Sequence, residues 1–226
     1  MFKNILCIDA SFYQFSISIL YKKKIISEIQ TCNRKYEKNI LIILKKFLTK
    51  NNIKINNLNV IAFSTGPGHF NKIRIVANIV QGLSLPYNIP LIGISTFLVL
   101  AQQIWRKKKY QNIIFYIIDK KKYIYWEKYK KNNFHFWSKK EKELFINIDN
   151  YKKKIQFLKK EWYFYKYNLI FSKKKNKFFY KNINIIQPQS QDLISLTLIE
   201  LKKKNFLTLN NMNINYLYDL MYFFNL

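Results

Sequence analysis

The sequence predicts an α/β protein built as two lobes, on three observations. Over residues 1–106, short apolar runs of strand length trade places with helical apolar stripes. After Arg106 a meander of strand-like segments starts afresh, although no Pro/Gly linker marks the join. All four glycines, with Pro67, Pro86 and Pro90, crowd into the stretch from Gly66 to Gly93. In a chain so poor in glycine, that stretch marks backbone geometry that other residues cannot supply. The expected division is a first lobe at 1–106 and a smaller second lobe at 107–226.

The elements follow in order. Residues 4–9 form a short apolar run that ends on Asp9. Residues 15–21 alternate, with Phe15, Ile17, Ile19 and Tyr21 on one face and Ser16 and Ser18 on the other. Residues 24–31 then supply a third, antiparallel strand. Ile40, Leu41, Leu44, Phe47 and Leu48 predict a helix over 36–50, its stripe widened by Ile42 and Ile43. A strand over 58–64 runs into the turn Thr65-Gly66-Pro67-Gly68. The helix over 70–85 carries Phe70, Ile73, Ala77, Val80 and Ser84 along one line and stops at Pro86. A strand at 91–94 leads to Ser95-Thr96, suited to capping a helix that runs to about Arg106. Beyond that point the pattern predicts strands at 112–119, 123–130 and 134–137, a helix at 149–160, a strand at 168–171 and a helix at 191–204. The Asn-rich, aromatic tail from Asn205 has no assignable period.

Composition narrows the function classes. Apolar residues make up 49% of the 226 positions and aromatics 18%, so the chain can build a real core despite its net charge of +28. No apolar run approaches the roughly 18 residues of a membrane span, and the N-terminus lacks the pattern of a secretory signal. The cytoplasm is the expected compartment. Cys7 and Cys32 are the two cysteines, without CxxC spacing, and read as buried thiols. The charge is almost all Lys, Arg occurring only at Arg34, Arg74 and Arg106, whereas phosphate and base readout favours guanidinium. Lys, Asn, Ile, Tyr and Phe are abundant while Gly, Pro, Ala and Arg are scarce, the signature of A/T-rich codons. Base-composition drift accounts for most of the charge, and a basic RNA-binding surface is the competing reading.

Catalytic equipment is sparse. Asp9, at a strand tip before Ala10-Ser11, suits either the orientation of a metal-bound nucleotide or water, or hydrogen bonds within its own turn. The glycine turn before a helix N-terminus suits either anion binding or close packing of helix on sheet; no Gly-Lys-Ser/Thr follows it, so it is not a P-loop. Only His69 and His135 exist, so HExxH sites and His-based zinc triads are excluded. His69, at a helix start, suits donation to a ligand or a capping or solvated role. Ser11, Ser64 and Ser84 lack a nucleophile-elbow context.

Four blocks carry a family resemblance. Ile5-Leu6-Cys7-Ile8-Asp9-Ala10-Ser11 resembles an "ILxIDTS" opening, and residues 62–74, with Gly66-Pro67-Gly68-His69-Phe70-Asn71-Lys72-Ile73-Arg74, resemble a "GPGSFTGLR" signature. Gln81-Gly82-Leu83 and Gly93-Ile94-Ser95-Thr96 resemble the "AQGLA" and "GVSTL" blocks. With Ile118-Asp119 and Tyr125-Trp126, these resemble the TsaB (YeaZ) family in order and spacing over about 1–130. The chain departs at His69, Asn71 and Lys72, at Arg34-Lys35-Tyr36, which lacks the family's His, and at Lys120-Lys121.

The resemblance implies an actin-like, Hsp70-like (ASKHA) fold in which a βββαβαβα unit occurs twice, each lobe a mixed sheet flanked by helices. It implies an accessory, non-catalytic role in adding threonylcarbamoyl to N6 of adenosine 37 in tRNAs that read codons beginning with adenine. The partners it implies are a TsaD-like catalytic paralogue and a TsaE-like ATPase, with tRNA reached through the complex and no cofactor or metal. Asp9, Ser11, Gly66 and Gly68 are then vestigial nucleotide-site candidates. The expected docking surface is the helices over 36–48 and 70–85, with Ile40, Leu44, Phe47, Ile73, Ala77, Val80, Gly82 and Ser84 as its contact residues. The same surface suits a homodimer when the paralogue is absent. A nucleotide-dependent enzyme is the third reading.

Overall fold

The structure is a computed structural model that describes residues 4–31, 39–118, 124–133, 136–145, 162–167, 187–203 and 206. The strands are β1 (Ile5–Asp9), β2 (Gln14–Tyr21), β3 (Lys24–Thr31), β4 (Val60–Ser64), β5 (Leu91–Ile94), β6 (Asn112–Ile118), β7 (Ile124–Lys131), β8 (Trp137–Phe145) and β9 (Tyr163–Tyr167). The helices are α1 (Ile40–Lys50), α2 (Phe70–Ser84), α3 (Thr96–Lys108) and α4 (Ser190–Lys202). Short 3₁₀ turns lie at Ile55–Asn57 and Leu85–Tyr87. Among the described residues no helix is long and apolar enough to cross a membrane.

The first sheet has five strands in the order β3-β2-β1-β4-β5. β1, β2 and β3 form an antiparallel meander, and β4 and β5 run parallel to β1. Strand alternation sorts the side chains sharply. Leu6, Ile8, Phe15, Ile17, Ile19, Ile61 and Phe63 join Ile40, Leu44 and Phe47 of α1 and Val76, Ala77 and Val80 of α2 in one buried cluster. Large apolar residues thus meet two amphipathic helices, the arrangement that removes most carbon surface from water.

The opposite face mixes small side chains with Ile5, Val60, Ile92 and Ile94 and receives α4. Cys7 Sγ lies 4.0 Å from Thr197 Oγ1. The Ser190 amide donates to Ser16 Oγ at 2.9 Å, and the Ser18 and Ser190 hydroxyls pair at 2.7 Å. Small residues let the helix approach the sheet closely, and the hydroxyls satisfy one another where water cannot reach. Burial pushes the Cys7 thiol far up, so it is an inert packing group, as the sequence suggests; Cys32 lies outside the described residues.

The placement of α4 corrects the expected division. The first unit consists of residues 1–103 together with 187–226, and the second of 104–186. The helix expected at 191–204 therefore belongs to the first unit, because its Leu193, Ile194 and Leu196 bury themselves there. The expected boundary after Arg106 falls inside α3.

The second sheet has the order β8-β7-β6-β9, with β6, β7 and β8 antiparallel and β9 parallel to β6. It repeats the order of β3-β2-β1-β4. The third strand of this sheet begins at Trp137, where the expected strand over 134–137 ends. A strand stands at Tyr163–Tyr167 that the sequence pattern did not mark. The expected helix at 149–160 and strand at 168–171 lie outside the described residues.

Candidate functional site at the glycine turn

β1 and β4 run side by side, which brings Asp9, Ser11 and the Gly66–Gly68 turn together at one end of the first sheet. Thr65 donates its amide to Ile94 O at 2.9 Å, and the Thr96 amide donates to Gly66 O at 2.8 Å, pinning the turn to the next strand and helix. Gly66 has φ 103°, a conformation that side-chain-bearing residues rarely adopt. Gly68 is required for a different reason. A Cβ built there would lie 2.3 Å from the carbonyl oxygen of Ser11, and that oxygen is held in place by the His69 amide at 2.7 Å. The turn is thus a close-packing device between the β1–β2 connection and the start of α2.

Asp9 is fully buried. Ser11 gives it two hydrogen bonds, from its hydroxyl to Oδ2 at 2.9 Å and from its amide to Oδ1 at 3.3 Å. The Ser64 hydroxyl also favours the carboxylate, although its oxygen makes no hydrogen bond of complete geometry. Desolvation outweighs these groups and pushes the Asp9 carboxyl up from 3.8 to about 6. A carboxyl that accepts from its own turn is the structural alternative raised by the sequence.

Lys72 turns its side chain inward. It is buried, its Nζ donates to Phe12 O at 3.0 Å, and it lies 5.6 Å from the Tyr13 ring centroid. His69 stands at the N-cap of α2 without a side-chain capping bond and meets the Tyr13 ring edge-on at 4.7 Å. The Thr96 hydroxyl is buried without a hydrogen-bond partner, so Thr96 does not cap α3 through its side chain. Sequence reasoning singled out Asp9, Ser11, Gly66 and Gly68, and the structure brings all four together. It missed the inward turn of Lys72, because a lone lysine in a lysine-rich chain carries no signal of burial. Among the described residues no three His, Cys, Asp or Glu side chains gather.

Asp9 sets a pH dependence. Its folded-state pKa lies above its unfolded one, so the native state holds the proton longer. Stability is greatest below about pH 4, falls as pH rises towards 6 and is flat above. The loss is at most about 3 kcal/mol, from 1.36 kcal/mol per unit. Asp9→Asn removes it, so the variant gains stability over the parent between pH 4 and 6 and keeps the gain at pH 7.5. Urea melts of both proteins across pH 3.5–7.5 measure the difference; parallel curves would refute it.

The expected docking residues need correction. Ile40, Leu44, Phe47, Ile73, Ala77, Val80 and Ser84 are all buried within the first unit, and only Gly82 of the eight is exposed. The apolar stripe that marks each helix is the stripe that packs on its own sheet, and Ser84 turns its hydroxyl to Ile89 O at 2.6 Å. The outward residues are their neighbours. Leu41 is 55% and Ile42 52% exposed on α1, and Leu85 and Tyr87 are 55% and 52% exposed just beyond α2.

One five-stranded and one four-stranded sheet of matching strand order, flanked by helices, define an actin-like α/β protein. The chain matches the family "TsaD: tRNA N6-adenosine threonylcarbamoyltransferase" over residues 21–197. More particularly, it belongs to the TsaB family. It is 35% identical to the tRNA threonylcarbamoyladenosine biosynthesis protein TsaB of Buchnera aphidicola subsp. Schizaphis graminum, over 90% of this chain and 97% of that protein. Identity to TsaB of Buchnera aphidicola subsp. Acyrthosiphon pisum is 34% over 95% of this chain and 97% of that one, and to TsaB of Escherichia coli 28% over 70% and 69%. The solved structure of YeaZ from Pseudomonas aeruginosa superposes with a TM-score of 0.71 at 16% identity, covering 95% of this chain and all of that one. That likeness bears on the fold.

Proposed function

We propose that this chain is an accessory, non-catalytic subunit in the cytoplasmic biosynthesis of threonylcarbamoyladenosine on tRNA. It grips a TsaD-like catalytic paralogue through the outer sides of α1 and α2, and the pair then recruits a TsaE-like ATPase. Support comes first from the exposed apolar surface of those helices. Leu41 and Ile42 face outward on α1, and on α2 the half-buried Ile75 and Ile79, which also touch the core, fall in line with the exposed Gly82. An apolar surface containing a glycine is what close helix-on-helix docking uses. A Cβ built at Gly82 meets nothing within 4 Å, so no close approach among the described residues accounts for its lack of a side chain.

The glycine-turn site supports the non-catalytic half of the reading. Asp9 is sealed from solvent, and Lys72 spends its ammonium on a backbone carbonyl beside it. Neither group is presented to a substrate.

Reconstitution tests the proposal. Paralogue, ATPase, threonylcarbamoyl-adenylate and tRNA are expected to yield modified tRNA only when this chain is added, and to do so equally with Asp9→Asn. Full modification without the chain refutes the accessory role, and loss of modification with a folded Asp9→Asn variant refutes the non-catalytic one.

A further inference from the structure

We infer that one end of the second sheet is a stacking platform for single-stranded RNA, a role additional to partner docking and independent of it. The strand directions gather the relevant residues. β6 and β9 begin at this end, β7 finishes there and β8 starts there, as the registers Asn112↔Lys130, Lys131↔Trp137 and Ile113↔Tyr163 require. Three of the four tryptophans, Trp105, Trp137 and Trp162, collect at it.

The rings are organised around cations. Lys131 is buried between Trp105 and Trp137, with Nζ 4.3 and 4.7 Å from their centroids. Desolvation lowers its pKa to about 8, so Lys131 orders the two indoles from inside and is not itself presented to a ligand. Outside this sandwich, Lys109 covers Trp105 at 4.5 Å and Lys128 covers Trp162 at 4.5 Å. Tyr110 and Tyr163 stack at 3.5 Å with only 4° between their planes, and Lys108 approaches Tyr110 at 6.0 Å.

Much of this is open to solvent. Tyr163 is 36% and Phe136 38% exposed, and Lys107, Lys108, Lys109 and Lys130 are exposed around them. Glu127, the nearest described carboxylate along β7, is buried and paired with Lys139 at 2.8 Å and with Tyr129. Exposed ammonium groups attract any polyanion, but flat rings interleaved with them add a preference. Unpaired bases can stack on the rings while phosphates meet the lysines, whereas a duplex keeps its bases inside. An acidic protein surface would use the lysines and gain little from Tyr163.

The full-length chain, with no paralogue present, decides the matter by fluorescence anisotropy. The probes are a labelled 12-nucleotide RNA without self-complementarity, the corresponding duplex, and polyglutamate. The single strand is expected to bind at least tenfold tighter than the other two at 150 mM salt. Tyr163→Ala weakens it roughly fivefold or more, from the value of one base–aromatic stack, with the salt dependence unchanged, and Tyr163→Phe restores it. Lys107→Gln with Lys108→Gln makes the log–log salt slope shallower by roughly 1.4, for two lost phosphate contacts. Equal affinity for strand and duplex, or indifference to Tyr163→Ala, overturns the platform. Polyglutamate binding as tightly as the single strand overturns it in favour of an acidic protein partner. Because tRNA modification is not the readout, failure here leaves the accessory role standing, and failure of that role leaves this result standing.

Discussion

Gly68→Ala is expected to destabilise the first unit by about 3 kcal/mol or more, among the largest effects of any single methyl group in this chain. The new carbon would sit 2.3 Å from Ser11 O and 3.0 Å from Ser11 Cβ. Neither neighbour is a flexible side-chain end. The carbonyl is fixed by the His69 amide, and the same residue delivers both hydrogen bonds to Asp9. Relief therefore requires the β1–β2 connection to move, which strips a buried carboxyl of its donors. For a chain of this size the melting temperature should fall by roughly 6–12 °C. Gly82→Ala is the control: its Cβ would meet nothing within 4 Å on an exposed helix face, so it should raise stability by about 0.5–1 kcal/mol. Thermal melts of the two variants check the pair, and equal melting temperatures would refute the close-packing role of the turn.

The second large effect concerns partner capture. Leu41→Asp combined with Ile42→Asp should leave the fold intact, because both side chains are more than half exposed. The same change should weaken binding of the catalytic paralogue at least about thirtyfold, the loss of two apolar contacts at the heart of an interface. Self-association in the absence of the paralogue should fall with it. Leu44→Asp, one turn on and 1% exposed, should instead unfold the lobe by placing a charge in the core. Titration calorimetry with the paralogue and circular dichroism separate the two cases. A double variant that still binds like the parent would move the docking surface elsewhere.

The contrast between Leu41 and Leu44 shows where sequence reading succeeds and where it stops. The 3.6-residue period located α1 and α2 well, and the alternation of Phe15, Ser16, Ile17, Ser18 and Ile19 assigned both faces of β2 correctly. The clustered glycines found the turn because Gly66 and Gly68 each meet a local steric demand. Apolar periodicity, however, does not say which apolar surface a helix face meets, so it does not separate the core-facing Ile40, Leu44 and Phe47 from contact residues. Exposure at Leu41 and Ile42 depends on how far the stripe wraps round the helix, which only packing reveals. The second unit was less legible because its strands mix Lys and Tyr with few purely apolar positions. β9, with the sequence Tyr163-Phe164-Tyr165-Lys166-Tyr167, offers no clean alternation, and the more apolar segment after it drew the assignment. The return of α4 to the first sheet is a long-range event with no local mark at all.

That return has a consequence for how the chain is made. Synthesis delivers β1 to β5 first, yet the hydroxyl-bearing face of their sheet is completed only by Ser190, Leu193 and Thr197. At elongation rates of roughly 5–20 residues per second, translating the intervening unit takes on the order of ten seconds. During that interval the nascent sheet has an uncovered side on the ribosome, with Cys7, Ser16 and Ser18 facing water. That face is only partly polar, since Ile5, Val60, Ile92 and Ile94 share it with Cys7, Ser16 and Ser18, so until α4 arrives it leaves an apolar strip for a chaperone or a neighbouring nascent chain to engage.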